Sequence, residues 1–339
     1  KQQIDSLKKA VYEIHNTNDH ESPLAQIYWT TRQWSYDYFE EFYKVISVDT
    51  MRYYPESATA PTGLEVVKQQ VEKGNLQESE GAIVFVGDEE KHLHTRVFVT
   101  SKGLPTYETK DIGVIWMEQK DYNFDHRILI TGNDQKEYMR VVYAAAETFN
   151  PELVGKMTHL TNGTVRFGDG TKMSSRLGNV SRAIDVVDVV TEKVKELVKD
   201  ESLVNDVAIG AIKYVFAKYR LGGDVAFDIE ETVSLVGNSG PYIQYAHARA
   251  CSILDKSTVT AAMDGAEFDL TERALLHKIG EYNEVIARAV VDLEPHHICT
   301  YLYELAQVFN RFYESSRIIG DEREAVRVGL ATLYRDTLA

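Results

Sequence analysis

Apolar residues change their spacing twice along this chain. In the first 22 residues Ile4, Leu7, Ala10 and Val11 form a narrow helical stripe in a polar segment. Over residues 24–46, Trp34, Tyr38, Phe42 and Val45 recur at i, i+4, i+8 and i+11. That spacing places them on one face of a helix and predicts that the face meets the core. Another helix is predicted over 64–74, closed by Gly74 as its cap. The period then shortens, and residues 82–86, 96–99, 127–131 and 157–167 read as strands. Helices start at Tyr107 and at Lys136, the second ended by Asn150-Pro151. Strands alternating with helices predict a parallel α/β layer, which gathers ligand groups at the carboxyl ends of its strands. Tyr107, Asp111, Gln135 and Lys172 all follow strand candidates, so they are expected to converge on one crevice.

Past Val180 the strand signals vanish. Ile184, Val187, Val190, Val194 and Leu197 repeat at helical spacing. Residues 183–198, 204–219, 234–254, 271–291, 295–317 and 322–338 all read as helices, which predicts a bundle. The composition shifts between residues 195 and 235. The expected organisation is therefore α/β plus all-α: an α/β part over 1–195, connecting helices over 196–232 and a helical domain over 233–339.

Composition narrows the class. With 339 residues, 44% apolar and 26% charged, the chain is long enough for about two well-buried cores. No apolar run approaches the roughly 18 residues of a membrane span, so no membrane is expected. Two cysteines, Cys251 and Cys299, give neither a disulfide framework nor zinc spacing, and a reducing cytoplasm is the expected compartment. The formal charge of −15 excludes binding of nucleic acid by bulk charge. Any RNA contact must come from local cations and from stacking on some of the 20 tyrosines.

Four stretches carry candidate chemistry. Lys172-Met173-Ser174-Ser175-Arg176-Leu177-Gly178-Asn179 sits between a strand and a helix, and its cations and hydroxyls suit a polyphosphate. Taken alone it reads first as a solvated loop. In Pro105-Thr106-Tyr107-Glu108-Thr109-Lys110-Asp111-Ile112-Gly113, Tyr107 and Asp111 share a helix face, and a carboxylate there could accept a guanidinium fork or merely favour the helix dipole. Gln135 ends Thr131-Gly132-Asn133-Asp134-Gln135, 24 residues after Asp111. Finally, Gly240-Pro241 starts a helix on which Tyr242, Tyr245 and Arg249 share a face, a platform for unstacked bases or a core stripe. Phe309-Asn310-Arg311-Phe312-Tyr313, with Arg317 following, supplies further candidates.

These stretches, in this order, resemble the arginyl-tRNA synthetases of class I. Residues 172–179 are similar to the KMSKS signature, with Ser175 in place of the second lysine and Arg176 after it, close to the KMSTR-x-GN that the arginyl branch has there. Residues 105–113 resemble its PTY-x-TRDIA, with Lys110 for arginine and Gly113 for alanine. Residues 131–135 are similar to its G-x-D-Q, with Lys136 and Tyr138 where histidines usually follow. Residues 240–249 resemble the GPY-x-QYAH-x-R helix of its anticodon-binding, DALR-type domain.

The resemblance implies a partial Rossmann-like catalytic domain followed by a helical-bundle anticodon-binding domain. It implies that Lys172, Ser174, Ser175 and Arg176 act on ATP. Tyr107, Asp111 and Gln135 would bind L-arginine, and Tyr242, Tyr245, Arg249, Tyr313 and Arg317 would bind tRNA(Arg). Magnesium would arrive with ATP, with no metal held by the protein, and the chain would act as a monomer. None of the 10 histidines forms the family's HIGH motif. The chain is therefore expected to be the C-terminal part of a longer enzyme, inactive alone. The alternatives are a non-catalytic tRNA-binding or assembly module and a cysteinyl-type synthetase; the absence of zinc-spaced cysteines, together with Asp111, opposes the latter.

Overall fold

The computed structural model describes residues 2–50, 52–167 and 182–339, without the side chains of residues 2, 3, 5 and 167. The chain forms two compact units, Lys1–Thr161 and Asn162–Ala339.

The first unit opens with α1 (Gln2–Thr17), α2 (Pro23–Val45) and α3 (Glu56–Glu72). Ser22 caps α2 by accepting from the Ala25 amide, and Pro23 fits the first turn because its missing N–H would be unpaired there anyway. The face of α2 expected to meet the core does not. Trp34 is 64% exposed, Tyr38 41% and Val45 42%, Phe42 is half-buried, and the buried residue of the helix is Ala25. Periodicity reported an apolar face correctly but could not report what covers it. The cap at Gly74 is as expected: at φ +79 it lets its own amide reach Val71 and the Asn75 amide reach Gln70, closing the last turn.

Strands β1 (Gln77–Ser79), β2 (Ala82–Phe85) and β3 (Arg96–Val99) form an antiparallel sheet in that order. The expected parallel layering fails here. Glu80 and Gly81, both at positive φ, are the whole link between β1 and β2, and a two-residue link can join only antiparallel strands. Then come α4 (Tyr107–Tyr122), β4 (Arg127–Gly132), α5 (Lys136–Phe149) and β5 (Met157–Asn162), with β4 paired to β5. Phe98 is fully buried, with the rings of Phe85 and Phe149 at 6.3 and 6.1 Å, in a core completed by Ile112, Ile115, Met139 and Val142.

Helices α3 and α4 cross through small residues. Thr59 and Gly63 on one helix meet Thr109 and Gly113 on the other, and all four are buried. A Cβ at Gly63 would lie 1.9 Å from the Thr109 carbonyl oxygen, and one at Gly113 would lie 2.1 Å from that of Thr59.

In the second unit β6 (Val165–Phe167) pairs in parallel with β7 (Val225–Phe227). Sequence reading missed β7, whose three residues are too short to show a period. The predicted 157–167 strand is two strands, β5 and β6. They part at Gly163, where a Cβ would strike the Gly223 carbonyl at 2.1 Å. The helices are α6 (Ala183–Lys195), α7 (Val204–Ala217), the short α8 (Ile229–Thr232), α9 (Gly240–Lys256), α10 (Leu270–Gly280), α11 (Tyr282–Asp292), α12 (His296–Ser315) and α13 (Glu324–Leu338). Two boundaries differ from expectation. The helix predicted from 234 starts at Gly240, where the Ser239 side chain accepts from the Tyr242 amide. The helix predicted over 271–291 breaks between Gly280 and Tyr282. Leu275, Leu305, Phe309, Phe312, Leu330 and Tyr334 form the core, with Phe309 and Tyr334 stacked at 3.8 Å.

The α3–α4 crossing gives a sharp expectation. Helix propensity alone would make Gly113→Ala stabilising by about 1 kcal/mol. The close backbone reverses the sign, and we expect a loss of about 1–3 kcal/mol from overpacking. Urea unfolding of the variant checks this, and an unchanged or raised midpoint would show that the helices do not approach so closely.

Candidate functional site

The N-terminus of α4 is lashed to the end of β3. The Thr106 amide donates to the Phe98 carbonyl at 3.0 Å, its hydroxyl donates to Val97 at 2.8 Å, and Pro105 bridges to Val99. One turn into α4 the Asp111 carboxylate, half-buried, accepts a hydrogen bond from the Tyr138 hydroxyl of α5. Burial raises the Asp111 pKa above the usual aspartate value. The Tyr138 bond and the charge of Arg127 oppose that rise, while Glu108 and Glu56 add to it. Arg127 is itself committed, donating to Glu118 and, at 2.9 Å, to the Tyr143 hydroxyl. Asp111 is thus a desolvated carboxylate short of cations, the condition in which a cationic ligand gains most.

The neighbours frame it. Tyr107 is 66% exposed, with the Lys110 ammonium 4.8 Å from its ring centroid and Lys110 paired to Glu56 of α3. Arg96 lies 5.6 Å over the Tyr138 ring and 3.8 Å from the Glu108 carboxylate, and its buried Nε has no hydrogen-bond partner. Gln135 is exposed on the short 3-10 turn Asn133–Gln135 that leads into α5, one turn before Tyr138. The structure therefore brings Asp111 and the N-terminus of α5 together. Tyr138 is the residue that sequence reasoning passed over; its position after Gln135, where the resembling family has histidine, was the available signal. Lys172, Ser174, Ser175 and Arg176 lie outside the described residues.

A second constellation lies on the other unit, where α9 packs on α12. Arg249 sits between two tyrosine rings, 4.9 Å from Tyr245 and 5.0 Å from Tyr313. Its Nη1 donates to Asn310 Oδ1 at 2.6 Å, and Asn310 Nδ2 donates to the Tyr242 hydroxyl at 2.9 Å. Tyr245, Arg249, Lys256, Tyr313 and Arg317 line one cavity of about 610 Å³. Tyr245 is 50% exposed and Tyr313 41%. Tyr242 is placed differently: half-buried, 5.6 Å from the Tyr303 ring, and packed against Ile243, Ala246 and Ala306. Lys256 and Asn310 were not among the sequence candidates for this cavity.

Residues 6–228 match the family model for the catalytic domain of class I (R) tRNA synthetases. The chain belongs to the class I arginyl-tRNA synthetase family. Residues 243–339 of this synthetase-family chain match the DALR anticodon binding domain. An arginine–tRNA ligase of Flavobacterium psychrophilum is 32% identical over 93% of the chain and 55% of the relative, and one of Borreliella burgdorferi is 31% identical over 85% and 52%. The chain spans about half the length of the curated relatives it matches. The crystal structure of the arginyl-tRNA synthetase from Plasmodium falciparum shares the fold over 99% of this chain and 60% of its own, with a TM-score of 0.80 at 20% identity. That from Thermus thermophilus covers 83% and 56%, with a TM-score of 0.71 at 23% identity. The fold is thus a class I catalytic domain followed by a DALR helical domain, α/β plus all-α.

The Tyr138–Asp111 bond can be read directly. A hydrogen bond to a charged group contributes about 1.5–3 kcal/mol, and one pKa unit is about 1.4 kcal/mol. In Tyr138→Phe we expect the Asp111 carboxyl to titrate about one to two units higher than in the parent chain, followed by carboxyl carbon NMR. An unmoved midpoint would mean that the hydroxyl does not hold the carboxylate in solution.

Proposed function

We propose that this chain is part of an arginine–tRNA ligase, which uses ATP to form arginyl-adenylate and transfers the arginine to tRNA(Arg). The observation that carries the reading is the Asp111 carboxylate, desolvated, held by Tyr138 and short of cations on the motif that resembles the arginyl branch. A guanidinium matches such a carboxylate in charge and in its planar fork. Tyr107 and Gln135 would line the same pocket, with Gln135 on the substrate amino group. The α/β part over 1–195 would carry the chemistry, residues 196–232 would connect, and 233–339 would read the anticodon.

The arginine carboxylate attacks the α-phosphate of ATP, a P–O bond forms, and pyrophosphate leaves. A terminal hydroxyl of the tRNA then attacks the activated carbonyl and AMP leaves. No side chain becomes a covalent nucleophile, so the protein contributes by positioning its substrates and by stabilising charge on the leaving group. Lys172, with Ser174, Ser175 and Arg176, would hold the triphosphate. Magnesium would arrive with ATP, since it keeps its waters and needs few protein ligands. The proposed ligase would act in the cytoplasm as a monomer; no helix among the described residues is long and apolar enough to cross a membrane.

The arginine pocket is tested by calorimetry with L-arginine and with L-citrulline, its neutral isostere. We expect a preference for arginine of about 10- to 100-fold, the size of one charge-assisted contact, and its loss in Asp111→Asn. The sign with pH follows from the pKa: protonation removes the counter-charge, and burial raises the midpoint above 3.8. Arginine affinity should therefore fall on acidification at a higher pH than an ordinary aspartate would give. Equal binding of the two ligands would sink the assignment of Asp111.

The cavity of the helical domain is tested by titrating tRNA(Arg), and the same tRNA with its anticodon replaced, into the chain. Stacking of a base on an aromatic contributes about 1–3 kcal/mol. We expect Tyr245→Ala and Tyr313→Ala each to weaken binding about 5- to 150-fold and to narrow the gap between the two tRNAs. If both variants bind as the parent does, the cavity is not where the anticodon docks.

A further inference from the structure

Between α11 and α12 the chain makes a turn that gathers four metal-ligating side chains within six residues. Leu293 sits in the left-handed region at φ 57, unusual for a leucine. Pro295 follows it, and α12 begins at His296. His296 Nδ1 lies 3.1 Å from Glu294 Oε2, and His297 Nε2 lies 3.9 Å from the same oxygen and 3.0 Å from Asp292 Oδ2. Ligand atoms of Glu294, His296 and His297 all fall within 4.8 Å of one another.

We propose that Glu294, His296 and His297, with Asp292 beside His297, form a binding site for a divalent transition-metal ion of the zinc type, separate from the arginine pocket and from the tRNA cavity. In a four-coordinate site with bonds of about 2.0–2.2 Å, donor atoms stand about 3.3–3.6 Å apart. The 3.1 and 3.9 Å separations from Glu294 Oε2 bracket that value, so side-chain adjustment brings Glu294, His296 and His297 onto one ion and leaves the fourth position to Asp292 or a water. His296 Nδ1 is buried and makes no hydrogen bond, although a carboxylate oxygen faces it. A nitrogen and a carboxylate oxygen that face each other with no proton well placed between them are a pair that a cation satisfies. Arg220 Nε lies 3.3 Å from Glu294 Oε1, which holds the carboxylate with its other oxygen turned to the histidine. An outer partner of this kind orients a ligand for a metal. Two imidazoles select zinc, cobalt or nickel over magnesium or calcium, which prefer all-oxygen shells.

The site has an approach from solvent, a cavity of about 320 Å³ lined in part by His296, His297 and Thr300. It also has a structural consequence. His296 starts the helix that carries Asn310 and Tyr313, 14 and 17 residues later, so an ion there would fix the root of that helix about 20–25 Å from the tRNA cavity. The inference does not depend on the ligase reading.

The test uses the chain stripped with a chelator and dialysed, then titrated with Zn²⁺ by calorimetry and with Co²⁺ by visible absorption. We expect one equivalent to bind with a Kd at or below about 10 μM, a four-coordinate cobalt spectrum, and a thermal midpoint raised by the metal. His297→Ala and the near-isosteric Glu294→Gln should each weaken binding at least about 100-fold, while circular dichroism in chelator shows them folded. The exposed pair His92 and His94 is the competing source of affinity, and a His92→Ala/His94→Ala variant should bind as the parent does. Absence of saturable binding below about 100 μM would overturn the site. So would binding that survives Glu294→Gln and His297→Ala, or that is lost in the His92/His94 variant.

Discussion

The close crossing of α3 and α4 is the constraint on which the first unit rests. Thr59 and Gly63 face Thr109 and Gly113 with backbone oxygens where side chains would otherwise stand. Only with small residues four apart on both helices can the backbones meet in this way. The consequence reaches the site directly, because Thr109 and Gly113 bracket Asp111. Fixing α4 against α3 on one side and against β3 through Thr106 on the other leaves the Asp111 carboxylate one direction to face, toward Tyr138. Gly113, where the resembling family has alanine, is thereby explained as a packing requirement of this chain.

Two carboxylates, Glu272 fully buried and Asp111 half-buried, show how burial serves opposite ends. Glu272, on α10, is fully buried, yet its pKa is held below the usual glutamate value: burial raises it, and Arg323, the Asp269 amide and Arg327 together outweigh that. Its acceptor capacity is filled, and it ties α10 to α13. The stability it gives is present above its unfolded pKa and is lost as pH falls through the lowered folded value. Asp111 keeps one phenol and a shared arginine, and its pKa rises. Its folded pKa lies above the unfolded one, so the charged form costs stability at neutral pH, a cost that a bound cation would offset. The number of partners, not burial itself, separates the structural carboxylate from the one left for a ligand.

How much of this was legible follows the length over which each signal extends. The long periodic segments were readable, and α5 runs from Lys136 to Phe149 as its pattern indicates. Short elements were not: β1 is three exposed residues, and nothing in Gln77-Glu78-Ser79 alternates. The turn that makes it a hairpin uses Glu80 at positive φ in place of the asparagine or aspartate that marks such turns. The split of α10 from α11 is the single residue Glu281, still in right-handed helical conformation, and an interruption that short does not disturb the apolar period. Within the sites the motifs gave positions but not partners. Tyr242 and Tyr245 look alike three residues apart, yet one packs against Ala306 and the other opens on a cavity. Asn310, which orients both Arg249 and Tyr242, lay in a quoted motif without a role.

The helical domain also answers the difficulty raised by its composition. Its sequence is net acidic, but much of the acid near α13 is already paired, with Glu272 and Asp321 both on Arg327. Arg249, Lys256 and Arg317 are gathered at one cavity. Screening over about 8–10 Å makes that local grouping count for more than the total charge. Arg249 also limits what the rings can do. It occupies one face of Tyr245 and one face of Tyr313, so each ring keeps a single face for a planar partner. On the proposed reading, an entering base stacks on an outer face while Arg249 stays clamped by Asn310, and recognition by this pair of tyrosines is limited to two bases at most.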